Sequence, residues 1–72
     1  MTLKKLTTAS TEEVNRLVRF AFGPSFSASI KKGMRVITRS DGSFQETVEA
    51  NTWVFALVSA RDRWPQQNRI FL

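Results

Sequence analysis

The side chains able to do chemistry in this chain are six carboxylates, eleven Lys and Arg, and seven Ser with seven Thr; there is no His and no Cys. Without His or Cys, the commonest general base, the thiolate nucleophile and the usual transition-metal ligands are all missing. The carboxylates do not group into a catalytic spacing. Glu12 and Glu13 fall in the first turn of a helix, where the macrodipole favours negative charge. Asp41 belongs to a turn, and Asp62 is flanked by Arg61 and Arg63. Glu46 and Glu49 are three apart on a strand, hence on opposite faces, and cannot work as a pair. With three glycines in all and no G-x-G-x-x-G or G-x-x-x-x-G-K-[ST], no phosphate-cradling loop is present. With no His, no Ser or Thr has the usual general base to activate it. The expectation is a protein that is not an enzyme, with no metal and no cofactor.

Recognition chemistry is better represented. The formal net charge is +5 and the sequence pI about 10.9. Lys31, Lys32, Arg35 and Arg39 fall within nine positions with no acid among them, and Arg61-Asp62-Arg63-Trp64 adds a second basic, aromatic cluster. Lys31, Lys32, Arg35, Arg39, Arg61, Arg63 and Trp64 are the candidate partner-binding residues, and an acidic surface on a protein target is the partner they fit. A direct nucleic-acid role, phosphates met by the cations and bases stacked on Trp64 or Phe44, is the alternative. It lacks any RRM, KH, zinc-finger or basic-zipper signature, so only weak, non-specific nucleic-acid binding is expected. For any single basic residue, a solvated surface position is the plainer explanation.

These residues need elements to position them, and 72 residues allow one small domain. Ser10-Thr-Glu-Glu13 reads as a capping box, Val14, Leu17, Val18 and Ala21 form an apolar stripe, and Gly23-Pro24 ends the run: a helix over about 11–22. Residues 1–9 read as a flexible arm before a folded unit over 10–72. From Ser25 the period becomes two, giving strands around 25–30, 34–39 and 43–50. Three-residue loops, with Gly33 and Gly42 left-handed, place Phe26, Ala28, Ile30, Met34, Val36, Thr38, Phe44 and Val48 on one apolar face. Arg35, Ile37, Arg39, Gln45, Thr47 and Glu49 then share the exposed face. Glu46 lands on the apolar side, where a rim position or an arginine from the helix would satisfy it. Residues 52–59 are ambiguous. A helix would align Trp53, Leu57, Ala60 and Trp64, with Asn51 as a possible cap, but β-branched and aromatic composition favours a fourth strand. Arg69-Ile-Phe-Leu72 is expected to dock on the sheet or on a partner. The fold class is α+β: one N-terminal helix packed on a three- to four-stranded antiparallel β-meander. No membrane span or signal peptide is visible, so a cytoplasmic location is expected.

A short chain, free of Cys and His, with one domain and a basic interaction surface is similar to the small host-takeover proteins of bacteriophages. Within that group it resembles the RNA-polymerase-binding transcription regulators of Xanthomonas phages. The resemblance implies a non-enzymatic regulator that binds host RNA polymerase and inhibits initiation, working in the bacterial cytoplasm. It carries no residue over.

Overall fold

The computed structural model describes residues 9–68. Helix α1 (Thr11–Phe22) starts where its sequence says it should. The Ser10 hydroxyl accepts from the Glu13 N–H at 3.2 Å, and the Glu13 carboxylate accepts from the Ser10 N–H at 3.4 Å. That reciprocal box satisfies two of the donors that every helix start leaves open. Val14, Val18, Ala21 and Phe22 are buried and Leu17 half-buried, so the apolar stripe becomes the packing face. Gly23 ends the helix at φ +127°, a conformation that L side chains avoid, and an added Cβ would stand 3.1 Å from the Gln67 side chain.

Three antiparallel strands follow in sheet order β1 (Phe26–Lys31), β2 (Met34–Asp41), β3 (Phe44–Ala50). The register differs from the three-residue-loop expectation. Lys31 pairs with Met34 and Asp41 with Phe44, so both loops have two residues, Lys32-Gly33 and Gly42-Ser43. Lys32 (φ +52°) and Gly33 (φ +79°) are both left-handed, as a type I′ turn requires; in the second loop only Gly42 (φ +64°) is, at the first position, as in a type II′ turn. Such turns match the twist of the strands they join, and that match outweighs assembling one wholly apolar face. Pairing then puts Phe26, Ala28, Ile30, Arg35, Ile37, Arg39, Phe44, Glu46, Val48 and Ala50 on one side. Arg35, Ile37 and Arg39 therefore do not share an exposed sheet face. Thr47 and Glu49, on the opposite side, are exposed as expected, and Val36 on that side is nonetheless buried.

Residues 53–63 form a second helix, α2 (Trp53–Arg63), where composition favoured a strand. The hydroxyl of Thr52, rather than Asn51, caps it, accepting from the Phe55 N–H at 3.2 Å. Trp53, Ala56, Leu57, Ala60 and Trp64 are all buried, at a spacing of three and four that only a helix brings to one face. Tertiary burial overrides β propensity here. Among the described residues the molecule is accordingly α+β, with a three-stranded meander and helices α1 and α2 on the same side of it.

The core lies between them: Val14, Val18, Ala21 and Phe22 of α1, Phe26, Ala28 and Ile37 of the sheet, and Trp53, Ala56, Leu57, Ala60 and Trp64 form one cluster. The chain leaving α2 returns to α1, where Ala21 O accepts from the Gln67 and Asn68 N–H groups and Phe20 O from the Asn68 amide at 2.9 Å. This closes carbonyls left open at the end of α1. The expected arm over 1–9 and the docking of 69–72 lie, apart from Ala9, outside the described residues. Among the described residues, no helix is long and apolar enough to cross a membrane.

Candidate interaction surface

The register divides the seven candidate residues into two groups at opposite ends of the sheet. Lys31 and Lys32 are exposed at the β1–β2 turn. Arg35 stands one pair further in, between Ile30 and Ala50. It is half-buried, with Nη1 donating to Gly33 O at 3.3 Å and its Nε shielded from solvent without an acceptor among the described residues. No carboxylate among the described residues lies within ion-pair distance of these three cations.

Arg39 and Arg63 lie toward the other end, with internal work to do. Glu46 sits on the helix side of β3, directly paired with Arg39. Its carboxylate receives Arg39 Nη1 at 3.5 Å, Arg63 Nη2 at 3.0 Å and Arg63 Nε at 3.1 Å. The carboxylate that looked misplaced on an apolar face does meet arginines, from β2 and α2 rather than from α1. Arg39 also approaches Asp41 at 3.7 Å, and Arg61 Nε lies 3.8 Å from Asp62 Oδ1. Each of these exposed contacts contributes up to about 1 kcal/mol, and the two-arginine clamp on Glu46 more than a lone pair.

Trp64 is a core residue. Its ring meets Phe26 edge-on at a centroid distance of 5.2 Å, Phe26 meets Phe22 at 5.4 Å, and the Arg63 guanidinium lies 5.7 Å from the Trp64 centroid. It is therefore not available for base stacking. Phe44 is exposed but belongs to the Gly42 turn, at the far end of β2 from the lysines.

Comparison with protein-family models, with curated proteins and with solved structures finds no match for this chain. What the surface does is read from its own chemistry.

Two apolar side chains missed as interface candidates accompany the lysine end. Ile30 is exposed on the strand leading into the turn. Phe55, 65% exposed, occupies the first turn of α2, which begins three residues after Ala50, the partner of Arg35. The unbroken apolar run Trp53-Val-Phe-Ala-Leu-Val58 carried that signal, because a helix apolar all round cannot bury every face in a domain this small.

The turn itself is the most informative feature. Left-handed backbone costs a residue with a Cβ about 1–2 kcal/mol, and turn positions of this kind normally hold Asn, Asp or Gly. Lys32 bears that cost at an exposed position in the turn of a basic hairpin. Lys32→Gly is expected to stabilise the fold by about 0.5–1 kcal/mol, offset in part by the glycine's greater freedom when unfolded. Urea denaturation measures it; a loss of stability would show that the Lys32 side chain makes a contact the fold needs.

Proposed function

We propose that this chain is a non-catalytic regulatory binding protein that presents the Lys31–Lys32 end of its sheet to an acidic surface on a protein target. The supporting observation is the division of charge. Arg39, Arg61 and Arg63 stand against Glu46, Asp41 and Asp62, whereas Lys31, Lys32 and Arg35 face no acid among the described residues. A basic tip next to exposed Ile30, at the sheet end after which α2 begins with Phe55 exposed in its first turn, combines steering charge with apolar area to desolvate. The resemblance to phage transcription regulators makes bacterial RNA polymerase the first target to test, with inhibition of initiation as the outcome and the host cytoplasm as the place.

The direct test uses tagged protein as bait in a nuclease-treated bacterial lysate, followed by titration of the captured partner. A stoichiometric protein partner should survive the nuclease. The Lys31→Glu, Lys32→Glu double variant should keep its circular dichroism and lose about tenfold or more in affinity. Free DNA should bind at about 10⁻⁵ M or weaker, falling steeply with salt. Release of all bound material by nuclease, or tight sequence-selective DNA binding, would replace this reading with that of a small basic nucleic-acid-binding module.

A further inference from the structure

The two outer edges of the sheet are treated differently. A two-residue loop closes on a hydrogen-bonded pair, so alternate residues of the strands it joins turn their N–H and C=O groups away from β2. On β1 those residues are Phe26, Ala28 and Ile30, and α1 covers two of them. The Asn15 side-chain oxygen accepts from the Ala28 N–H at 2.9 Å, Arg19 Nε donates to Phe26 O at 3.4 Å, and Gly23 O accepts from the Phe26 N–H at 3.2 Å. On β3 the same rule turns Gln45, Thr47 and Glu49 outward. Among the described residues nothing bonds their backbone groups. β3 has no Pro or Lys between Phe44 and Ala50, and its one inward-pointing charge, Glu46, is neutralised by Arg39 and Arg63.

That row of three donors and three acceptors is centred on Thr47 and is complementary to itself. Laid antiparallel against a second copy, Thr47 meets Thr47, and Gln45 meets Glu49 in both directions, using all three outward residues. On the same face these are a hydroxyl pair and an amide–carboxylate pair, both favourable across strands. On the helix face Phe44, 58% exposed, comes to lie over Ala50 of the second copy, and Glu46 over Val48. No like charges stand directly opposite, because Glu46 faces Val48 and Glu49 faces Gln45, and Glu46 is in addition held by Arg39 and Arg63. Among the described residues the outer edges of the resulting six-stranded sheet are the two β1 edges, which the side chains of α1 and the Gly23 carbonyl occupy at Phe26 and Ala28. Association therefore stops at two, as a closed two-fold interface does.

We infer that this chain forms a two-fold dimer through antiparallel β3–β3 pairing centred on Thr47. The test is sedimentation velocity on the full chain over a concentration series reaching about millimolar. The wild type should shift from monomer to dimer. Thr47→Lys sets two ammonium groups face to face on the axis and should stay monomeric at every concentration with unchanged circular dichroism. Thr47→Pro should do the same, since its missing N–H points away from β2 and an edge strand accepts proline there. If the proline variant does not fold, the lysine variant decides alone. A wild type that remains monomeric throughout, or a dimer that persists in folded Thr47→Lys, overturns the inference.

Discussion

Truncating Trp64 to Ala should cost about 3–5 kcal/mol, against a total stability of roughly 4–11 kcal/mol for a domain of this length. The ring stands at the end of α2, edge-on to Phe26, which in turn contacts Phe22, so three elements converge on it. Only 7% of the residue is accessible. Its removal opens a cavity between α1, β1 and α2, where its neighbours Phe22 and Phe26 are themselves buried. It also loosens the segment whose Gln67 and Asn68 close the end of α1. Urea denaturation monitored by far-UV circular dichroism measures the effect, and Trp64→Phe should recover much of it. Had Trp64 been the exposed contact residue that its basic neighbours suggest, the same substitution would change stability by no more than about 0.5 kcal/mol. A loss under about 1 kcal/mol would therefore place the ring at the surface and reopen the Arg61–Trp64 cluster as an interface.

What could be read from the chain was whatever is coded by neighbours a few residues apart. Ser10 and Glu13 define the start of α1, Val14 to Ala21 its buried face and Gly23-Pro24 its end, all within one stretch of fifteen residues. The strands announced themselves by alternation. The register did not, because it depends on turn backbone, and a lysine is not the residue that a left-handed position advertises. Assuming that one sheet face must be wholly apolar favoured loops one residue too long. The actual helix-facing side tolerates Arg35 and Arg39 near its ends, where long side chains reach outward past the core, and Glu46 because two arginines neutralise it. α2 was ambiguous for a different reason. Its residues are strand-like one by one, and only the core formed with α1 selects the helix. The candidate site followed the register: the lysine turn was legible as a run of charge, while the assignment of Arg39 and Arg63 to an internal carboxylate required knowing that β3 and α2 bring Glu46 to them.

Ile37→Ala is the substitution that separates the two registers most sharply, with an expected cost of about 2–5 kcal/mol. Ile37 is fully buried at the centre of β2, paired with Ala28 on one side and Val48 on the other, beneath both helices. It belongs to the one buried cluster to which the sheet and both helices contribute, so collapse around a missing side chain is opposed by packed neighbours. With three-residue loops, Ile37 would lie on the exposed face between Arg35 and Arg39, and its truncation would be nearly neutral. Met34 would then be the costly position. In the structure Met34 is half-buried at the end of β2, and Met34→Ala should lose clearly less than Ile37→Ala, about 1–1.5 kcal/mol. The order of the two losses is the diagnostic, because both variants shorten an apolar side chain on the same strand and so share most of the effect on the unfolded chain. A larger loss at Met34 than at Ile37 would return both loops to three residues. It would move Arg35 and Arg39 to the open face, and with them the reason for confining the interaction surface to the lysine turn.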